Sequence, residues 1–180
     1  MSNVQRWVSG NLNSLWVTVH SGITVELGDL MFLNNQNNLM YDGSSTADNL
    51  AYPIEYLRTS GASLELNKHK LKEVFIGVAM DDKDGVGDSG NTKNISIATS
   101  GKFKFDLKPA KTVYAGSFFG ATGTSSASDL FNQKIMKTSD TTSIIGVFAE
   151  YKVHATEAEV YIKSAFKPPG SIYWKNMREE

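Results

Sequence analysis

The chain has 180 residues, a formal net charge of −1 and no cysteine, which excludes disulfide bonds, thiolate metal sites and a cysteine nucleophile. The balanced charge lacks the basic excess that nucleic-acid binding usually needs, so we expect no nucleic-acid partner. The sequence shows no signal peptide and no apolar run near the ~20 residues of a membrane span, so we expect a soluble protein made in the cytoplasm, with no membrane partner.

Short strands dominate the predicted elements. Helical signals are confined to 66–74 and 128–136, where Ser128 and Asp129 offer a helix N-cap. Many short strands with little helix predict an all-β fold, a small β-barrel or sandwich with long loops and extended terminal arms. In chain order, the segments rich in β-branched and aromatic residues that predict strands are 15–20, 23–33, 73–80, 94–97, 102–107, 112–119, 143–151 and 159–166.

The clearest local pattern surrounds Ser100-Gly101. Apolar residues alternate with polar ones before this pair, at 94–97, and after it, at 102–107. Alternation with period two is typical of a strand with one buried and one solvated face. Because Gly101 can adopt a positive φ, we predict a hairpin that turns at this glycine.

Two stretches of the chain resemble each other. "FIGVAM" at 75–80 is matched by "IIGVFA" at 144–149, and "LGDLMFL" at 27–33 by "YAGSFFG" at 114–120. The order of glycine turn, Ile-Gly-Val strand and alternating strand therefore occurs twice, which predicts two pseudo-equivalent halves around one core. The alternative is a chance match between short β-motifs.

The predicted organisation has three parts. Residues 1–22 form an N-terminal arm and first strand, 23–166 form the β-rich core domain, and 167–180 form a C-terminal arm. Within the core domain, 34–72 reads as an insertion with loops. The Asn/Ser/Thr/Gly-rich segments 34–49 and 120–129 are predicted to be exposed loops.

The acidic loop "DDKDGVGD" at 81–88 raises the question of a metal site. Calcium loops place oxygen ligands at fixed positions and end in a bidentate Glu. Counted from Asp82, the fifth position is Val86 and the twelfth is Lys93, so the pattern favours a solvated turn. We predict no metal site and no cofactor.

Catalytic signatures are equally weak. His20, His69 and His154 show no H-x-x-x-H or H-E-x-x-H spacing, and the chain contains no G-x-S-x-G elbow or phosphate-binding loop. We therefore predict no catalytic residues and no enzymatic activity. A hydrolase with a Ser/His/Asp cluster assembled in space remains the competing hypothesis.

The termini are rich in apolar aromatics, which are common anchors in protein interfaces. Pro168 and Pro169 predict that the last strand ends before an extended segment. The terminal side chains either pack on their own domain or dock on a neighbour. The residues predicted to bind a partner are Trp7, Val8, Trp16, Tyr173, Trp174 and Met177.

The succession "GDLMFL", "EVFIGVAMDDKDGVGDSGNTKNISIATSGKFKFDLKPAKTVYAGSFFG" and "SIIGVFAEYKVHATEAEVYIKSAF" resembles the tailed-phage head decoration proteins, also called capsid cement proteins, over about residues 24–166. The chain departs from that pattern at Gly116-Ser117, where Gly-Asp is typical, and in 34–72. The residues that match the pattern are Gly28, Asp29, Gly77, Val78, Ala79, Ser100, Gly101, Phe103, Phe105, Gly116, Gly146 and Val147.

The resemblance implies a bacteriophage virion protein without enzymatic activity, located on the outer capsid surface after assembly in the host cytoplasm. It also implies binding to the major capsid protein over its subunit junctions, and self-association as a homotrimer. The alternative is another virion β-module, from a tail or fibre, that uses the loops 34–49 and 120–129 to bind a ligand such as a carbohydrate.

Overall fold

The computed structural model describes residues 7–10, 12–34, 50–58, 63–85, 93–124, 129–162 and 164–165. Most of them lie in strands, with one helix, α1 (Leu64–Val74), and a 3₁₀ turn (Ile54–Tyr56). The strands are β1 (Trp7–Ser9), β2 (Ser14–Val19), β3 (Leu30–Asn34), β4 (Leu50–Pro53), β5 (Phe75–Ala79), β6 (Lys93–Ala98), β7 (Lys102–Val113), β8 (Phe118–Gly123), β9 (Leu130–Lys137), β10 (Gly146–Phe148) and β11 (Lys152–Ile162).

Ten of these strands form two closed barrels with the same topology. Barrel 1 has the order β2-β4-β3-β5-β6, and barrel 2 has the order β7-β9-β8-β10-β11, with β1 added beside β7. In each barrel the first and third strands in chain order are parallel, and the other neighbours are antiparallel. The predicted all-β fold with two equivalent halves is confirmed, and each half is a barrel of its own.

Equivalent turns precede the second strand of each barrel. The residues 26–29 and 114–117 each carry a glycine with positive φ at the third position, +91° at Gly28 and +80° at Gly116, a conformation that a side chain disfavours. Both glycine N–H groups donate to the carbonyl that ends the fourth strand of the same barrel, at Ala79 and at Phe148. The predicted internal repeat therefore extends to individual hydrogen bonds.

A second pair of glycines marks close contacts between strands. A Cβ on Gly77 would lie 2.0 Å from the Ala98 carbonyl oxygen, and one on Gly146 would lie 2.2 Å from the Tyr161 carbonyl oxygen. Both distances are far below any van der Waals contact. Each barrel therefore requires glycine where its fourth strand meets its fifth, which explains the repeated Ile-Gly-Val motif.

The core consists of two apolar clusters. The first fills the interior of barrel 1 and includes Val19, Met31 and Ile95. The alternate residues of β3, β4 and β5, such as Phe32, point out of barrel 1 and join a second cluster that fills barrel 2. These three strands are thus apolar on both faces, and the barrels share one contiguous buried surface.

Helix α1 lies against this shared surface. The Ser63 hydroxyl accepts a hydrogen bond from the Leu66 backbone N–H, which caps the helix and fixes its start. Leu71 and Val74 are buried in the second cluster. The predicted helix at 66–74 is confirmed. In the described part of the chain, no helix has the length and apolarity to cross a membrane.

The predicted hairpin at Gly101 is wrong. Strand β6 pairs with β2 and β5 in barrel 1, whereas β7 pairs with β1, β11 and β9 in barrel 2. Gly101 does have a positive φ, +137°, but it carries the chain from one barrel into the other. The alternation correctly indicated two strands with one buried face each, and it contains no information about which strands pair.

The predicted helix at 128–136 is also wrong, because 130–137 is strand β9. Asp129 forms an ion pair with Arg58, and Ser128 lies outside the described residues. The predicted strand 112–119 is interrupted by the turn at 114–117, and β8 extends to Gly123 inside a predicted loop. Within 34–72, the described residues form β4, the 3₁₀ turn and most of α1.

Candidate partner-binding surface

A partner-binding surface requires exposed apolar side chains, and these are concentrated near the start of the chain. The described residues include ten exposed large apolar side chains, of which five fall within residues 7–16. We call these five the N-terminal strip; they are Trp7, Val8, Leu12, Leu15 and Trp16. Trp16 is 67% exposed and Trp7 is 38% exposed.

Backbone hydrogen bonds fix the strip at the junction of the two barrels. Strand β1 pairs with β7 of barrel 2, with Trp7 opposite Phe103. Strand β2 belongs to barrel 1, with Trp16 opposite Ser96. Between them, the Asn13 carbonyl accepts from the Thr99 N–H at 2.7 Å. The strip is therefore held by both barrels beside the crossover at Gly101.

Three of the six predicted partner-binding residues are exposed within this short segment of the chain. Trp7, Val8 and Trp16 belong to the strip, and the other three, Tyr173, Trp174 and Met177, lie outside the described residues and stay predictions. Sequence reasoning missed Leu12 and Leu15. The alternation of Leu15 with Val17 and Val19 predicts that Leu15 is buried on the inward face, but its side chain is 39% exposed.

The contact between the barrels contains a buried carboxylate. Asp29 accepts hydrogen bonds from the Glu26 backbone N–H at 2.9 Å and from Gln133 Nε2 of β9 at 2.9 Å. Burial is the main cause that raises the pKa of Asp29 to about 6; the nearby charges of Glu26 and Glu55 add to it, and the two hydrogen bonds oppose it. The carboxylate therefore acts as a polar contact between barrels 1 and 2.

One group in the described residues has the ligand types that a metal ion uses. Glu65, His69 and Asp140 each offer a ligand atom, and these atoms lie within 4.8 Å of one another. All three are exposed, and His69 Nε2 contacts Asp140 Oδ2 at 2.9 Å. Hydrogen bonds from the Thr142 hydroxyl and backbone N–H lower the pKa of Asp140 to about 2. This geometry ties α1 to barrel 2.

The predicted acidic turn contributes to the fold. Asp81 Oδ2 accepts from the Ser96 N–H at 2.7 Å. Lys83 is buried, and its ammonium donates to the Ile23 carbonyl at 3.1 Å. Residues 86–88 of this segment lie outside the described residues. In the part that is described, the Asp81 carboxylate therefore binds the backbone of the same barrel.

Comparison with solved structures gives a distant similarity. No protein-family model and no curated protein matches the chain. A solved structure, the N base of the head fibre protein gp8.5 of bacteriophage phi29, is similar over 87% of this chain and 100% of that chain, with a TM-score of 0.45 and 11% sequence identity. A similarity of this size carries no inference about function.

Proposed function

We propose that this protein is a non-enzymatic structural protein of a tailed-phage virion. It binds the outer surface of the icosahedral capsid, contacts the major capsid protein, and stabilises the junctions between its subunits. The observation that carries the proposal is the N-terminal strip, an exposed apolar segment with two tryptophans that is fixed to both barrels.

The physical argument starts from the cost of exposing apolar surface. Clustered exposed apolar side chains on a folded protein mark interaction sites more often than ordinary surface. Tryptophan is among the residues that dominate binding energy when a partner covers them. Because the strip is held in strands, little conformational entropy is lost when it docks. A stiff double barrel with such a strip suits a protein that joins neighbouring subunits.

Self-association as a trimer belongs to the same proposal. Many copies on one shell, each with several contacts, bind more strongly together than each contact does alone. The resemblance to head decoration proteins in strand order and turn glycines supports this assignment.

The test uses expanded heads that lack the protein, prepared from the phage that encodes it. The wild-type protein should bind these heads saturably and raise their melting temperature. Trp16→Gln combined with Trp7→Gln should weaken binding at least about tenfold, the loss expected on removing aromatic anchors. Binding is measured by sedimentation of the heads with labelled protein.

The matched control is Leu66→Gln on α1. Leu66 is exposed to an extent similar to Trp7, 43% against 38%, and lies outside the strip. Its substitution should leave binding within about twofold of wild type, as for a surface change away from an interface. Equal losses for the control and the tryptophan variant, or no binding by the wild type at any salt concentration, would overturn the proposal.

A further inference from the structure

The first strands of the two barrels, β2 and β7, begin in equivalent surroundings. The N–H of Thr99, just after β6, donates to the Asn13 carbonyl just before β2, at 2.7 Å. In the same way the N–H of Ile162, at the end of β11, donates to the Gly101 carbonyl just before β7, at 3.3 Å. Each strand later pairs in parallel with the third strand of its barrel. The residues that open β2 and β7 therefore occupy equivalent positions.

In barrel 2, the outer edge of this first strand is covered by the N-terminal segment. Strand β1 pairs with the first residues of β7, with Trp7 opposite Phe103. Leu12 reaches the same place, because a Cβ on Gly101 would lie 2.9 Å from Leu12 Cδ2 and 3.0 Å from the Phe103 ring. Phe103 is 0% exposed. The segment thus pairs with the backbone edge of β7 and covers the end of the barrel beside it.

In barrel 1, the equivalent edge of β2 has no such cover within the described residues. On this side, β2 pairs with a described strand only at Val19, opposite Ala51 of β4. Leu15, at the position equivalent to Phe103, is 39% exposed. The first three residues of β2 are all exposed. In the described part of the chain, the edge that barrel 2 completes with a strand is therefore open in barrel 1.

The hydrogen bonds of β6 identify the backbone groups of β2 that face this open edge. The Ser96 N–H donates to Asp81 Oδ2 at 2.7 Å, and the Ser96 carbonyl accepts from the Met80 N–H at 2.9 Å, both on the β5 side. Trp16 lies opposite Ser96, so its own N–H and carbonyl point away from β6. Backbone direction alternates along a strand, so the Ser14 N–H points the same way. No described strand pairs with these two residues on that side.

Covering the N-terminal strip has a consequence for this edge. Leu15 and Trp16 are consecutive in β2, so their side chains lie on opposite faces of the strand. A partner that covers both also removes water from the backbone groups at the edge between them. Burying an N–H and a carbonyl without hydrogen bonds is costly. An extended backbone supplies a donor and an acceptor at the spacing of a strand, and its side chains cover both faces.

We infer that the edge of β2 at residues 14–16 binds an extended segment of the partner, antiparallel to β2, as β1 binds β7 in barrel 2. The inference rests on the proposed function, because the partner is the capsid protein that covers the N-terminal strip, and it adds the mode of binding. The segment carries a large apolar residue opposite Leu15, as Trp7 lies opposite Phe103. Because β2 is already held by β6 along its whole length, little conformational entropy is lost on its side.

Hydrogen–deuterium exchange of the full chain, free and bound to expanded heads, tests this pairing. Mass spectrometry with fragmentation resolves single amides. In the free protein, Ser14 and Trp16 should exchange faster than Leu15 and Val17, whose amides face β6. On the heads, exchange at Ser14 and Trp16 should slow at least about tenfold, because their N–H groups become hydrogen-bonded. Unchanged exchange at both residues on heads that bind the protein would overturn the inference and leave the proposed function in place.

Ser14→Pro tests the same edge by removing its N–H and placing a ring there. Barrel 1 does not use this N–H, so the free variant should keep the circular dichroism spectrum of wild type. Its binding to the heads, measured by sedimentation, should weaken at least about tenfold. The control Ser14→Ala also loses the hydroxyl but keeps the N–H, and it should bind within about twofold of wild type.

Three outcomes would contradict the inference in different ways. Wild-type binding by a folded Ser14→Pro variant would show that the edge is not used; if this variant does not fold, the exchange experiment decides. Slow exchange at Ser14 and Trp16 in the free protein that disappears on dilution would assign the edge to a second copy of the chain. Failure of the wild type to bind the heads would contradict the proposed function itself.

Discussion

Barrels 1 and 2 share their strand order but expose different chemistry on equivalent turns. The turn of barrel 1 carries Glu26 and a buried Asp29, which binds Gln133 of the other barrel. The turn of barrel 2 carries Tyr114 and Ser117 at the same positions, with Tyr114 exposed. Backbone hydrogen bonds therefore define the repeated unit, whereas the side chains on it differ according to what covers each barrel.

The two turns are also equivalent in one side-chain interaction, in which the fourth residue of the turn accepts a hydrogen bond from the backbone of the first. The Ser117 hydroxyl contacts the Tyr114 backbone N–H at 3.4 Å, as the Asp29 carboxylate accepts from Glu26. Ser117 and Asp29 can therefore occupy equivalent positions in the two turns, since either side-chain oxygen can accept this hydrogen bond. Only the carboxylate adds a contact between the barrels, and that contact carries an electrostatic cost.

The largest expected effect tests whether both barrels need their inter-strand glycine. Gly77→Ala and Gly146→Ala should each destabilise the protein by at least about 3 kcal/mol, because the new Cβ would overlap a backbone oxygen. Since the barrels share one buried surface, each variant should still unfold in a single transition. Urea unfolding followed by tryptophan fluorescence and circular dichroism measures both properties.

Gly22→Ala is the control for these two variants. Gly22 has a φ of +76° and no atom within 4 Å of an added Cβ, so it reports backbone strain alone, roughly 1 kcal/mol. A loss at Gly77 or Gly146 no larger than this would contradict the steric argument. Two separate transitions in either variant would show that the barrels fold independently.

The second-largest expected effect concerns Asp29 of barrel 1, whose equivalent in barrel 2 is the uncharged Ser117. Its pKa is about 6 in the folded protein against an ordinary value of 3.8. The stability that this group contributes is therefore complete below pH 3.8 and is lost as the pH rises through 6, a change of roughly 3 kcal/mol. Asp29→Asn keeps an acceptor for the Glu26 N–H. It also removes the loss of stability at high pH, because the amide does not ionise.

We therefore expect the stability of Asp29→Asn relative to wild type to increase by roughly 2.5 kcal/mol between about pH 4 and about pH 7. Glu26 and Glu55, the carboxylates nearest to Asp29, are present in both proteins. Urea denaturation at the two pH values measures the difference, with Asp82→Asn as the surface control. Parallel pH profiles for wild type and Asp29→Asn would show that the carboxylate is not stabilised in its neutral form.

The smallest expected effect concerns a carboxylate that accepts a hydrogen bond from a backbone N–H, an arrangement that occurs once in each barrel. Asp81 accepts from the Ser96 N–H in barrel 1, and Glu150 accepts from the Glu159 N–H in barrel 2. Asp81→Ala and Glu150→Ala should each cost about 1 kcal/mol. The double variant should show the sum, because the sites share no hydrogen-bond partner. The neighbouring Asp82→Ala is the control, and an effect of equal size there would assign the loss to charge rather than to the hydrogen bond.

Half of the candidate site was accessible to sequence reasoning. Trp7, Val8 and Trp16 were identified because large apolar residues near a terminus are unusual unless they are covered. The contact of Lys108 with Phe131 was missed, because these residues are far apart in the chain and come together only when β7 pairs with β9. Finding it would require knowing that 130–137 is a strand, and this segment was predicted to be helical.

The sequence by itself determined the β class, the duplicated order of strands and the turn glycines, because alternation and glycine conformations are local properties of a few residues. The tertiary structure decided that β6 and β7 belong to different barrels and that β9 is a strand. It also decided that one of two equivalent turns is buried. The reason is physical: a strand's alternation reports that one of its faces is buried, whereas its hydrogen-bond partners are supplied by segments far away in the chain.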